Sequence, residues 1–144
     1  MIIGIGTDIV DIRRIEKVLY KYGEKFKIRC FSHNEISRSE KKYNRVNSYA
    51  KRYAAKEACS KALGTGFKAG VFWRNIEVIT LASGQPKIKL TGGALLRLEK
   101  LTPRGMEAFV HVTQTDEYPL PNAVVIIEAR QSGLPLIYDV NDYT

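Results

Sequence analysis

Sulfur is scarce in this chain, which has two cysteines, Cys30 and Cys59, and two methionines in 144 residues. Two cysteines without metal-ligand spacing exclude a disulfide scaffold and a cysteine-based zinc site, so both read as free thiols of a reducing compartment. No apolar run is long enough to cross a bilayer, and the opening apolar stretch meets Asp8 too early for a signal peptide, so the chain is expected to be cytoplasmic. The absence of any internal repeat or low-complexity segment argues against a solenoid or a tail-like chain. Acidic residues are also in short supply: 15 against 23 basic ones, a net charge of +8. The imbalance is uneven. Arg13, Arg14, Lys17, Lys21, Lys25, Lys27 and Arg29 crowd the first fifth, Arg38, Lys41, Lys42, Arg45, Lys51 and Arg52 follow, and after Glu107 the only basic residue is Arg130. The N-terminal half therefore faces something acidic, either a nucleic acid or an acidic protein together with an anionic cofactor. With 44% hydrophobic residues, the chain is expected to be one domain, 1–144, able to bury a single core.

What is present is helical first and strand-rich later, which argues for an α+β fold. Residues 1–12 read as an apolar strand that breaks on Gly4 and Gly6 and delivers Asp8 at its end. Ile12, Ile15, Leu19, Tyr22 and Phe26 recur at spacings of three and four, predicting one amphipathic helix whose other side carries Arg13, Lys17 and Lys21. Ser32 and Glu35 have the spacing of a capping box, giving Glu35 a structural task. Segments 75–81 and 87–90 read as short strands joined by a turn at 82–86, residues 93–101 as a helix, and 109–115 and 123–129 as strands. The stretch 131–144 reads as a C-terminal extension.

The richest segment is Arg52-Tyr53-Ala54-Ala55-Lys56-Glu57-Ala58-Cys59-Ser60-Lys61-Ala62-Leu63-Gly64-Thr65-Gly66. As a helix it puts Ala54, Ala58 and Ala62 on one small-residue face against which another backbone can pack closely. Glu57 and Lys61 share a neighbouring face one turn apart. Gly64 stands where a left-handed C-cap closes the helix, so the Gly64-Thr65-Gly66 turn presents bare backbone beside the Lys61 ammonium. A carboxylate there can hold a hard cation while the lysine meets an anion. Asp8 is the second candidate metal ligand. Taken alone, the same residues are also compatible with a surface Glu-Lys pair, worth a few tenths of a kcal/mol, and a turn aspartate. A dinucleotide fingerprint is weak, because Ile9 stands where its third glycine belongs. The competing class is a small basic nucleic-acid-binding module, which explains the net charge but leaves Asp8 and Glu57 without a task and lacks any recognisable RNA- or DNA-binding motif.

As an ordered set, Gly4-Ile5-Gly6-Thr7-Asp8-Ile9, Arg14-Ile15, Phe31-Ser32-x-x-Glu35, the segment from Arg52 to Gly66, Gly84-x-Pro86, His111-Val112-Thr113 and Val124-Val125-Ile126-Ile127-Glu128 closely resemble the holo-[acyl-carrier-protein] synthases. These are the small bacterial branch of the phosphopantetheinyl transferases. The resemblance implies transfer of 4′-phosphopantetheine from coenzyme A to a serine of an acyl carrier protein, with release of 3′,5′-ADP and a need for Mg²⁺. It further implies a homotrimer with active sites between subunits. It implies Asp8 and Glu57 as Mg²⁺ ligands and Lys61 as the charge facing the leaving group. Arg52, Lys61, Gly64, Thr65, Gly66, Pro86 and His111 are then expected on the coenzyme side, with His111 on a phosphate. The basic helix face of Arg13, Arg14, Lys17 and Lys21 is expected to meet the carrier protein's acidic helix. Activation of the serine is left open among Glu57, Asp8 and a Mg²⁺-bound water. The histidine signature continues here as Gln114-Thr115-Asp116, whereas many members have serine at its third position and histidine at its sixth; no role is carried over to Asp116.

Overall fold

The computed structural model describes residues 1–133. Five strands and five helices follow in the order β1 (Ile2–Ile9), α1 (Ile12–Tyr22), α2 (Glu24–Cys30), α3 (His33–Glu40), α4 (Arg45–Ala62), β2 (Ile76–Thr80), β3 (Pro86–Leu90), α5 (Gly92–Leu101), β4 (Met106–Thr115) and β5 (Asn122–Gln131). This is the α+β arrangement that the order of patterns implied. The strands form an antiparallel three-stranded sheet, β1-β5-β4, and a separate β2-β3 hairpin. Of the C-terminal extension, Gln131 ends β5, Ser132 and Gly133 form a turn, and the rest lies outside the described residues.

The helix α4 lies across the three-stranded sheet, and small residues on both sides set how close it comes. Ala54 and Ala58 are fully buried and Ala62 is 4% exposed. Opposite them, a Cβ added to Gly4 would run into the Ala62 carbonyl, and one added to Gly6 into the Ala58 carbonyl. The two glycines therefore do not break the strand. They sit inside β1, and the missing side chains let helix backbone press on strand backbone. Below this contact Val125 and Ile127 of β5 are fully buried, and Ile15 of α1 is 1% exposed. Each such side chain contributes roughly 1.5–3 kcal/mol on burial.

The single amphipathic helix expected from Ile12 to Phe26 is two helices. The apolar spacing continues, but Gly23 at φ +49° caps α1 and starts α2. At the N-terminus of α3, Ser32 accepts from the Glu35 amide and Glu35 from the Ser32 amide, the expected capping box. Glu35 does more than cap. It pairs at 2.7 Å with Lys56, both side chains being fully buried, and its second oxygen accepts from the Val78 amide. Lys56 also donates to the carbonyls of Trp73 and Ile76, and Arg52 to that of Val78. Three helix-borne charges thus fix the start of the β2-β3 hairpin.

The other face of the sheet is open. Residues alternate across a strand, so the partners of the buried set point away from α4. Ile5 and Ile9 of β1 are 66% and 62% exposed; Ile126 of β5 and His111 of β4 stand in register with Ile5, and Asn122 and Thr115 with Ile9.

Candidate active site

Asp8 and Glu57 come together because β1 and α4 touch through glycine and alanine. Asp8 follows Gly6 by two residues and so projects from the same face of β1, toward α4. Its carboxylate accepts from Lys61 Nζ at 3.1 Å, and the same ammonium donates to the Thr7 carbonyl at 2.9 Å. Glu57, one turn before Lys61, is half-buried. Burial pushes its carboxyl above the ordinary range, and the negative charge of Asp8 pushes further in the same direction; Lys61 and Arg14 oppose both. The hydroxyl of Tyr53, one turn earlier on α4, also favours the charged form of Glu57. Two carboxylates thus face one partly open space, with the Lys61 ammonium on Asp8 and the Arg14 guanidinium also acting on Glu57. A hard divalent cation with oxygen ligands suits such a pair, since Mg²⁺ is held by one or two carboxylates and completes its shell with water or phosphate oxygens. Among the described residues no third acidic, cysteine or histidine ligand joins them.

Arg14 is brought close enough to feel Glu57 and to act on it. Arg13 forms a two-pronged pair with Asp11, the residue that caps α1. Lys17 and Lys21 are exposed on the same helix. Beside them a cavity of about 520 Å³ is lined by Val18, Tyr22, Phe26, Tyr53 and Trp73, with Lys25 and Arg29 at its rim. Trp73 stacks between Tyr53 and Phe67, with ring centroids 4.6 and 3.7 Å away.

Gly64 caps α4 in the left-handed region at φ +78°, with its amide on the Lys61 carbonyl. Thr65 and Gly66 continue that turn, and Gly66 donates to the Ser60 carbonyl. Arg52 and Pro86 lie elsewhere. At about 100° per residue, Arg52 points some 140° away from Glu57 around the helix axis. It is 6% exposed and contributes to the floor of a cavity of about 480 Å³ that Pro86 and Gly84 also line. The rim of that cavity is Lys42, Tyr43, Asn47, Ser48 and Lys51; the sequence marks Lys42 and Lys51 only as members of the basic cluster and none of the five as a coenzyme contact. The signal available was the Lys41-Lys42-Tyr43-Asn44-Arg45 run between two helices, rich in phosphate-binding donors. His111 lies on the open sheet face and lines, with Pro86, an adjoining cavity of about 460 Å³. Within one chain, then, the expected site residues fall into two groups: Asp8, Glu57, Lys61 and the Gly64–Gly66 turn on one side, and Arg52, Pro86 and His111 on the other.

Residues 4–120 match the model of the 4′-phosphopantetheinyl transferase superfamily. The chain belongs to that family. A holo-[acyl-carrier-protein] synthase of Rhizobium meliloti is 57% identical over 129 residues, covering 90% of this chain and 93% of the relative. One of Beijerinckia indica is 58% identical over 132 residues, covering 92% and 94%. Among solved structures, the Neisseria meningitidis holo-[acyl-carrier-protein] synthase superposes with a TM-score of 0.77 at 38% identity, covering 89% of this chain and 99% of that one. The Helicobacter pylori synthase in complex with coenzyme A gives 0.73 at 29%, covering 86% and 99%. No helix among the described residues of this transferase-family chain is long and apolar enough to cross a membrane.

Proposed function

We propose that this chain transfers 4′-phosphopantetheine from coenzyme A to a serine of an acyl carrier protein in the cytoplasm, with 3′,5′-ADP as the other product. The observation that carries the reading is the pairing of Asp8 with Glu57 at the β1-α4 contact, on a chain whose relatives are named for this transfer. Asp8 and Glu57 would hold Mg²⁺, which when bound supplies positive charge against the oxygens of the pyrophosphate. Lys61, tied to Asp8 and to the Thr7 carbonyl, stands ready to offset charge on the departing phosphate. The serine oxygen forms a bond to the phosphorus that bears the pantetheine arm, and the bond from that phosphorus to the oxygen of 3′,5′-ADP breaks. The serine proton passes to a base within reach, for which Glu57 and Asp8 are the carboxylates present.

The nucleotide end belongs in the cavity of Arg52 and Pro86, where Lys42 and Lys51 stand at the rim to meet the 3′-phosphate. Because that cavity and the Asp8-Glu57 pair lie on different sides of α4, one coenzyme bridges two copies of the chain: the carboxylates of one protomer and the cavity of its neighbour. The open sheet face supports the same assembly. Ile2, Ile5 and Ile9 are each more than 60% exposed, an apolar stripe that a soluble monomer would seldom leave uncovered, and β1 and β4 are both edge strands of their sheet. A threefold closure covers stripe and edges together, so light scattering is expected to give a trimer. The carrier protein's acidic helix meets Arg14, Lys17 and Lys21, with Arg13 at the end of the row, and its apolar side chains enter the neighbouring cavity of Val18, Phe26 and Trp73.

The test is a mass spectrum of apo acyl carrier protein after incubation with this chain, coenzyme A and Mg²⁺. The expected result is a carrier protein heavier by one phosphopantetheine at its serine. An unmodified carrier protein, together with salt-sensitive binding of nucleic acid by the same chain, overturns the reading.

A further inference from the structure

Strand β5 ends in two charged side chains that the proposed transfer does not use. Arg130 Nε donates to Glu128 Oε1 and Arg130 Nη2 to Glu128 Oε2, each at 2.9 Å. This is the planar two-pronged pairing that fixes both partners. The guanidinium rests 4.7 Å from the centroid of the Phe109 ring on β4. Glu128 Oε2 also lies 2.9 Å from His111 Nε2. Phe109 stands opposite Glu128 in the ladder and His111 is the next residue on that face, so the four side chains form one row across two strands.

The row fixes which ring nitrogen carries the proton. Arg130 and His111 hold the Glu128 carboxyl down at about 2, so it is ionised at neutral pH. An ionised carboxylate only accepts, hence Nε2 must be the N–H. Among the described residues Nδ1 has no partner. The charged groups around the ring are Glu128 and Arg130 on β5 and Lys87 on β3, which lines the same cavity as His111 and Pro86.

We propose that Glu128, clamped by Arg130, is a positioning residue that holds His111 by its Nε2–H and so orients the ring, whose imidazolium form presents Nδ1–H to an anionic group in the Pro86 cavity. In the transfer reaction proposed above, on which this assignment of the ligand rests, that group is a phosphate of coenzyme A. Neither Glu128 nor Arg130 touches the reacting atoms; both act through the imidazole.

The test compares the full-length chain with Glu128→Gln by long-range ¹H–¹⁵N spectra of ¹⁵N-histidine-labelled protein, His111→Gln serving to assign the signal against His33. The wild type is expected to show the Nε2–H form of neutral His111. Glu128→Gln is expected to show a mixture of the two forms, because the carboxylate that accepts only from Nε2–H is gone. In steady-state assays the same variant is expected to raise the KM for coenzyme A about three- to tenfold, the scale of one lost hydrogen bond, with kcat less affected. Glu128→Asp is expected to recover part of both effects, and an unchanged melting temperature excludes general unfolding. Identical tautomer spectra for wild type and Glu128→Gln overturn the proposal, and so does a shifted spectrum with an unchanged KM. If the wild type transfers nothing, the reading of the function falls, while the spectra still decide whether Glu128 holds the ring.

Discussion

On one side of α4, Lys56 and Arg52 are buried at 0% and 6% exposure, and their cationic groups end on Glu35 and on backbone carbonyls of the β2 region. On the other side, Glu57 and Lys61 share a half-open space with Asp8, where two carboxylates repel each other and Lys61 and Arg14 oppose that repulsion only in part, the Glu57 carboxyl staying above its ordinary range. Burial lowers the pKa of Lys56 and of Arg52, yet hydrogen bonds absorb the charge, and no buried side-chain polar atom among the described residues lacks a partner. The first arrangement is complete as it stands and holds the fold. The second leaves two carboxylates at a partly open surface, where the proposed function puts a divalent cation. Sequence alone shows Lys56 and Glu57 as neighbours in one charged run; the structure gives them opposite tasks, one stabilising and one held at a cost to stability.

That contrast breaks most sharply at Lys56. Lys56→Ala leaves Glu35 buried without its cation and is expected to cost about 3–5 kcal/mol. Chemical denaturation checks this, and a loss under 1 kcal/mol would show that the pair is dispensable. Replacing both members with apolar residues does not restore the loss here, since Glu35 also satisfies the amides of Ser32 and Val78. Glu57→Gln and Asp8→Asn are expected to do the reverse: transfer falls at least about 100-fold, the scale of a lost electrostatic group in an active site, while the metal-free fold keeps its melting temperature or gains. Full transfer by both variants at ordinary Mg²⁺ would remove the pair from the mechanism.

Gly6→Ala probes the contact joining the two halves. A Cβ there meets the Ala58 carbonyl, and the expected cost is about 1–3 kcal/mol together with weaker metal binding, because β1 must retreat and carry Asp8 away from Glu57. Stability loss without any change in Mn²⁺ affinity would separate packing from site. Arg14→Glu is a milder test, expected to raise the KM for carrier protein about tenfold and to leave that for coenzyme A nearly unchanged. The smallest effect is on pH. Since the Glu57 pKa is raised in the folded state, its protonation favours folding below its ordinary value of 4.5, and that advantage is lost as pH rises through the raised value. Metal affinity runs the other way, falling on acidification through the same range. Glu57→Gln flattens both profiles.

Much of this was legible before the structure. The small face of Ala54, Ala58 and Ala62, the Gly64 cap, the Ser32-Glu35 box and the turn at 82–86 are local patterns, and each stands where its spacing placed it. What was not legible depends on long-range approach. Gly4 and Gly6 read as strand breakers because only the arrival of α4 explains why a strand interior should lack side chains. The break at Gly23 was hidden because the apolar spacing continues into α2 unchanged. Of the site, spacing put Glu57, Lys61 and Asp8 forward as candidates, and the resemblance named the roles expected of them. The full lining of the Arg52 cavity comes from α4 and the segment before it, the β2-β3 hairpin and β4, so no single segment displayed it.

The division of labour across α4 is tested most directly by mixing two inactive chains. One carries Asp8→Asn, the other His111→Ala with Lys42→Glu and Lys51→Glu, whose reversed charges repel the coenzyme's phosphate at the cavity rim, and the two are unfolded, combined and refolded before carrier-protein modification is followed by mass spectrometry. If the carboxylates of one copy serve the cavity of the next, random mixed trimers hold an intact pair of faces at about one site in four, and transfer returns to about a quarter of the wild-type rate. Mixed chains that remain as inactive as either parent at every ratio would contradict the shared site and place both halves of the chemistry within a single copy.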